Sequence, residues 1–200
     1  MRIAVEGMDG VGKSTVAKAI AERFNCHYVA KPFAFLFESL GFDTKQIKAI
    51  EWKLWKTEDE ALITLLYGMG LLYGTRCIKQ DNIVYDRHYA SNYYWHGNEE
   101  TDKLHKEVMS LGGLPDLTVV LRASVETRMK RIYERDKIDQ DLSNSAMYDY
   151  GYDKMIAFLE ENNIPYAIID TEDKTIEDVI AESISCVEEH QPMRYMKERT

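Results

Sequence analysis

Two hundred residues suffice for one domain with a sizeable core, and no linker-like shift in composition divides them, so a single domain over 1–200 is expected. With 45% hydrophobic and 30% charged residues, the chain has the make-up of a folded protein, which excludes disordered, collagen-like and low-complexity classes. A formal charge of −9 excludes a general electrostatic grip on nucleic acid polymers or an anionic membrane, so any polyanion has to be held by a local site.

In chain order, Ile3-Ala4-Val5 predicts a first strand, followed by a glycine-rich turn and a helix over 13–24. The chain enters this strand directly, so no signal peptide is expected. "HYVA" at 27–30 predicts a second strand and a helical pattern spans 58–79. Within it, "ALITLLYGMGLLY" at 61–73 is too short to cross a bilayer and reads as a buried helix. "NIVYD" at 82–86, "LTVVL" at 117–121 and "YAII" at 166–169 complete five strands, with helices expected over 101–111, 124–136, 147–162 and 175–189. The polar stretch 135–153 lies between two of these helices, and a lid is expected around 136–146; a solvated loop is the plainer reading. The tail 190–200 carries Pro192 without periodicity and is expected to be peripheral. Cys26, Cys77 and Cys186 are odd in number and lack C-x-x-C spacing, which fits reduced thiols in a cytoplasmic protein.

Strands alternating with helices predict an α/β fold: a five-stranded parallel sheet with right-handed crossovers and helices on both faces. Ligands of such sheets lie beyond the carboxyl ends of the strands, and the distinctive residues fall there. Gly7 to Ser14 match G-x-x-x-x-G-K-[ST] between a strand and a helix. Glycines let the backbone N–H groups of Gly7, Asp9, Gly10, Val11, Gly12, Lys13, Ser14 and Thr15 curl around phosphate oxygens, with the helix N-terminus behind them. Lys13 would reach the β- and γ-phosphates of a nucleotide and Ser14 a Mg²⁺ ion. A glycine-rich turn with no ligand is the competing reading.

Asp86 and Arg87 follow a central strand, where the carboxylate can hold Mg²⁺ and the guanidinium can clamp a substrate phosphate. Arg128, Arg131 and Arg135 are spaced i, i+3 and i+7, which places a cationic row ahead of the expected lid that could stabilise a transferring phosphoryl group. Tyr93, Tyr94, Trp95 and His96 form an aromatic cluster suited either to stacking a base or to a core.

These residues resemble the thymidylate kinases among the P-loop nucleotide kinases. "EGMDGVGKST" matches the family's E-G-x-D-G-x-G-K-[ST] from Glu6 to Ser14, and Asp86, Arg87 and Ser91 match its D-R-Y-x-x-S. "DLTVVLRASVETRMKRIYER" at 116–135 is similar to the family's approach to the lid, with Glu126, Arg131 and Arg135 in register. The resemblance implies ATP with Mg²⁺ as donor, a nucleotide acceptor and a homodimer. It also implies that Asp9 faces the acceptor sugar, Arg87 the acceptor phosphate, and Arg131 and Arg135 the ATP phosphates.

The chain departs from the family's pattern in several places. Val11 stands where other members carry arginine, His88 replaces a tyrosine, and Tyr94-Trp95-His96 replace A-Y-Q. Ala30-Lys31-Pro32-Phe33 replace R-E-P-G-G, making Lys31 and Phe33, with Ser91 and Tyr94, candidates on the acceptor side. Leu71 stands where the family has an arginine that reads thymine.

The expected reaction is phosphoryl transfer from ATP to a nucleoside monophosphate, dTMP or a related pyrimidine nucleotide. A deoxynucleoside kinase and a non-catalytic nucleotide-binding module remain as alternatives. Deoxynucleoside kinases carry a glutamate base at the turn occupied here by Lys31, and a protonated lysine suits an acceptor that already bears phosphate. The absence of N-K-x-D weighs against a GTPase.

Overall fold

The five apolar runs form β1 (Arg2–Gly7), β2 (His27–Ala30), β3 (Ile83–Asp86), β4 (Leu117–Arg122) and β5 (Tyr166–Asp170), all parallel, in the order β2-β3-β1-β4-β5. A computed structural model describes residues 1–135, 137 and 151–197. The three inner strands are buried almost throughout, which is why they read as unbroken apolar runs rather than as alternating patterns. β1 is central and pairs with β3 so that Val5 faces Asp86, and Arg87 N–H donates to the Val5 carbonyl at 3.0 Å. That register brings the turn after β1 beside the residues after β3.

The helices are α1 (Lys13–Arg23), α2 (Pro32–Ser39), α3 (Thr44–Trp55), α4 (Glu60–Arg76), α5 (Tyr89–His96), α6 (Asp102–Gly112), α7 (Val125–Arg135), α8 (Gly151–Glu161) and α9 (Ile176–Lys197). Three of them, α2, α3 and α5, add to the helices expected from periodicity. α2 begins with Pro32 in its first turn, where a missing N–H costs nothing. α3 is fixed by a capping box: the Asp43 carboxylate accepts from Gln46 N–H, and the Gln46 side chain accepts from Asp43 N–H, both at 2.9 Å. α9 runs through Pro192 to Lys197, past the end expected at 189. The lid expected around 136–146 lies, apart from Lys137, outside the described residues.

The main core joins the sheet to the helices covering it, with Val5, Ile20, Val119, Val120, Phe158 and Leu159 at 2% exposure or less. A second cluster, Phe33, Ile47, Leu54 and Ile63, sits between α2, α3 and α4 and holds these helices as one wall. Burying each such side chain is worth about 1.5–3 kcal/mol. α4 reaches the start of α2 through Gly70, where a Cβ would stand 2.7 Å from the Pro32 carbonyl and the Phe33 nitrogen. This close approach sets the position of Lys31 and Phe33 relative to the sheet. Among the described residues no helix is long and apolar enough to cross a membrane.

Candidate active site

The turn between β1 and α1 is built on left-handed glycines. Gly10 has φ +86° and Gly12 φ +98°, conformations that cost other residues about 1–2 kcal/mol. Gly12 caps α1, and its carbonyl accepts from Thr15 and Val16 N–H at 3.1 Å. A Cβ on Gly12 would meet nothing within 4 Å, so the N-terminus of α1 faces open space. A Cβ on Gly10 would lie 2.7 Å from the Arg128 carbonyl oxygen, because α7 packs directly on the turn. The helix N-terminus, the curled backbone and the open space together form an anion cradle. Val11 turns its side chain into the core, 2% exposed.

Lys13 is buried beneath this cradle, with Nζ donating to the Met8 carbonyl at 2.8 Å and 3.6 Å from Asp9 Oδ1. Burial and the nearby Arg87 charge pull its pKa down to about 8 against the opposing pull of Asp9, Asp86 and Glu6. Arg87 donates to Asp9 Oδ1 and holds a left-handed backbone at φ +77°. Burial would raise the Asp9 pKa, but Arg87 and Lys13 outweigh it and hold the carboxyl well below the usual range. A non-glycine residue strained in this way is held by its surroundings, here the bond to Val5 and the ion pair with Asp9.

Asp86 lies on the other side of the cradle. Its Oδ2 accepts from the Ser14 hydroxyl at 2.5 Å and the Tyr28 hydroxyl at 3.3 Å, while Oδ1 is buried with no hydrogen-bond partner among the described residues. A buried, orphaned carboxylate oxygen beside a serine hydroxyl is the hard oxygen donor set that Mg²⁺ prefers, so these residues fit the ion. Tyr28 is a part of this group that the sequence reading missed, since on β2 it looks like an ordinary strand residue.

Glu6 is wholly buried and accepts from His88 N–H at 2.8 Å, Ser91 N–H at 3.0 Å and the Ser91 hydroxyl. Burial pushes its pKa up, against these bonds and the Arg87 charge. Glu6 thus caps the N-terminus of α5 from the strand beneath. The Ser91 hydroxyl, expected to face the acceptor, is bonded to this carboxylate.

A cavity of about 900 Å³ opens beside the cradle. Its wall includes the polar residues Asp9, Ser14, Lys31, Asp86 and Arg87, and an aromatic set with Phe33, Trp55, Tyr67 and Tyr94. The fold brings all six acceptor-side candidates, Asp9, Lys31, Phe33, Arg87, Ser91 and Tyr94, to this cavity. Lys31 adopts φ +43° at the N-cap of α2, its N–H donating to the Asp86 carbonyl at 3.2 Å. Phe33 stacks on Tyr67 with ring centroids 4.7 Å apart, and Tyr94 meets Trp95 edge-on at 4.8 Å. Tyr93 instead stacks on Phe158 at 4.3 Å and belongs to the core. Lys154 of α8, unmarked in the sequence, donates to the Tyr94 and Gly97 carbonyls at 2.8 Å.

The arginine row of α7 is split. Arg128 is completely buried, its guanidinium 5.9 Å from the centre of the Tyr152 ring, because the face of α7 that carries Arg128 and Ile132 packs on Gly10. Arg131 is half-buried and donates to the Thr171 hydroxyl at 2.9 Å and the Thr171 carbonyl at 2.8 Å, just past β5. Arg135 is exposed at the end of α7. Neither Arg131 nor Arg135 lines the cavity.

Residues 5–183 match the family model for thymidylate kinase. The chain is 28% identical over 191 residues to a probable thymidylate kinase of Methanocaldococcus jannaschii, covering 92% of this chain and 94% of that one. It is 26% identical over 185 residues to a cytidylate kinase of the same organism, covering 92% and 88%. In fold it is similar to a thymidylate kinase from Ehrlichia chaffeensis, with TM-score 0.61 and 19% identity over 94% of this chain and 98% of that one. It is equally similar to a deoxyadenosine kinase from M. mycoides solved with bound dCTP, with TM-score 0.62 and 17% identity over 96% and 100%. The match across most of its length, on a five-stranded parallel sheet carrying the phosphate-binding turn, shows that the chain belongs to the thymidylate kinase family of nucleotide phosphotransferases.

Proposed function

We propose that the enzyme transfers the γ-phosphoryl group of ATP to a (deoxy)nucleoside monophosphate, dTMP or a related pyrimidine nucleotide, with residues 1–200 acting as one kinase unit, as a homodimer in the cytoplasm. The observation that carries this reading is the placement of two anion-binding sets at one sheet edge: the cradle with Lys13, and Arg87 with Lys31 on the adjoining cavity wall. The thymidylate and cytidylate kinases among its relatives act on monophosphates, as their names state, and support the same acceptor class.

In this reading the backbone N–H groups of the turn and Lys13 hold the donor's phosphates, and Arg87 clamps the acceptor phosphate. Ser14 and Asp86 would hold Mg²⁺, which when bound supplies positive charge to the phosphoryl oxygens. Asp9 fixes the Arg87 guanidinium and faces the acceptor sugar. An acceptor phosphate oxygen attacks the γ-phosphorus in line, the bond from that phosphorus to the bridging oxygen breaks, and ADP leaves with the electron pair. A monophosphate oxygen is already anionic, so the residues here position and neutralise rather than remove a proton. Arg131 and Arg135 act on the donor side in this account, which requires Arg131 to exchange its bonds to Thr171 for phosphate oxygens.

The runner-up is a deoxynucleoside kinase, favoured by the presence of Glu38 on the cavity wall as a carboxylate able to serve as base. Incubation with Mg²⁺-ATP and a panel of nucleosides and nucleoside monophosphates, with product masses, separates the two. Diphosphates formed from monophosphates support the proposal, and turnover of nucleosides alone rejects it.

A further inference from the structure

The aromatic part of the cavity wall offers a base hydrogen-bond acceptors in preference to donors. Tyr67 of α4 donates its hydroxyl to Glu51 Oε1 of α3 at 2.6 Å, and Trp55 Nε1 donates to the Tyr67 oxygen at 3.2 Å. This relay runs in one direction and ends on a carboxylate, a group that accepts hydrogen bonds and donates none. Among the described residues Glu51 forms no ion pair and has Tyr67 as its one hydrogen-bond partner, so it keeps further acceptor capacity. Glu51 borders the cavity together with Tyr67, whose ring is stacked on Phe33.

Several donors on the same wall are committed elsewhere. Trp55 is bonded to Tyr67, Asn92 Nδ2 to the Thr64 carbonyl at 3.5 Å, and Lys154 to two backbone carbonyls. His96 Nδ1 lies 2.9 Å from Glu60. Lys48, three residues before Glu51 on α3, is exposed at the border of the cavity. Leu71, which also lines the cavity, is apolar.

From this arrangement we infer that the acceptor pocket selects a base carrying an exocyclic amino group, which among pyrimidines is cytosine, and that Glu51, oriented by Tyr67, is the specificity-determining residue. Cytosine presents an N4 amino group that a carboxylate accepts from, whereas uracil and thymine present a carbonyl oxygen at that position. A carbonyl facing Glu51 leaves two acceptors opposed and desolvated without a donor between them. The inference rests on the reading of this cavity as the nucleotide acceptor site, and within the pyrimidine nucleotides proposed above it narrows the acceptor to a cytosine nucleotide in place of dTMP.

The test measures equilibrium binding of CMP, dCMP, UMP and dTMP, and kcat/KM for each with Mg²⁺-ATP, on the wild-type protein, Glu51→Gln and Tyr67→Phe. Wild type is expected to prefer the cytosine nucleotides by about tenfold or more in both measurements. Glu51→Gln, whose amide donates as well as accepts, should narrow that preference by about fivefold or more and gain affinity for UMP and dTMP. Tyr67→Phe keeps the stacked ring and loosens Glu51, so it should narrow the preference in the same direction. Circular dichroism of both variants establishes that they fold. A wild-type preference for dTMP or UMP, or an unchanged ratio in Glu51→Gln, overturns the inference. Turnover that favours dTMP leaves the kinase reading standing and rejects the base selection. Preferential cytosine binding without diphosphate formation does the reverse, and failure of all four nucleotides to bind rejects both.

Discussion

Two glycines in one turn should respond to alanine differently, one mainly in stability and the other mainly in nucleotide affinity. In Gly10→Ala the new methyl group stands at φ +86°, 2.7 Å from the Arg128 carbonyl oxygen and 3.0 Å from Ile132 Cγ1. The isoleucine can shift, but the carbonyl belongs to the α7 backbone. Left-handed strain of about 1–2 kcal/mol and overpacking of about 1–3 kcal/mol together give a loss of about 2–5 kcal/mol. In Gly12→Ala the conformational cost is the same, but nothing lies within 4 Å, so the loss stops at about 1–2 kcal/mol. Its methyl group projects instead into the space assigned to phosphate, so nucleotide affinity should fall more than stability. Urea denaturation followed by circular dichroism gives the first quantity, and ATP titration of the folded variants gives the second. Gly10→Ala proving as stable as Gly12→Ala would refute the packing argument, and undiminished ATP affinity in Gly12→Ala would refute the cradle.

Lys13→Ala should keep its fold and lose turnover by about 10²–10³-fold, as removal of a pre-oriented charge-stabilising group does, measured as ADP release. Because burial holds the Lys13 pKa near 8, the charge is lost as pH rises through that value, and kcat/KM for ATP should fall above pH 8 with a limb that Lys13→Arg moves upward. The same depression means that the unfolded chain binds the extra proton between pH 8 and 10.5, so this group's contribution to stability increases with pH across that window. His88 is buried between Tyr85 and Tyr89, its pKa lowered to about 3 by burial and by Arg2. It stays neutral in the fold while the unfolded chain protonates it, so stability is lost as pH falls from 6.5 towards 3, and His88→Phe should flatten that acid limb in pH-dependent melting. Asp86→Asn keeps the bonds from Ser14 and Tyr28 within reach of an amide oxygen but removes the anion, so the Mg²⁺ concentration for half-maximal rate should rise at least about tenfold. An unchanged Mg²⁺ dependence would remove Asp86 from the metal set.

The phosphate-binding turn was legible in the sequence because its chemistry is local: glycines, a lysine and a serine within eight consecutive residues form it without long-range help. The sheet was legible for a related reason, since strands buried on both faces, such as "LTVVL", leave runs that no surface element would carry. What escaped depends on packing across the chain. α5 is eight residues long and rich in aromatics, so it gives little periodic signal, and it is fixed by Glu6 from another element. The arginine spacing on α7 correctly places a helix, yet spacing alone cannot tell that Gly10 draws one of its faces into the core and buries Arg128. Tyr28, Glu51 and Lys154 come from three separate elements and converge on the cavity only in the folded chain.

The most direct test of the central claim is ³¹P NMR of the protein with Mg²⁺-ATP and a pyrimidine nucleoside monophosphate. The account predicts that the γ-phosphorus resonance of ATP declines while paired resonances of a new nucleoside diphosphate grow at the same rate as those of ADP. Growth of inorganic phosphate alone, with the monophosphate resonance unchanged, would contradict it.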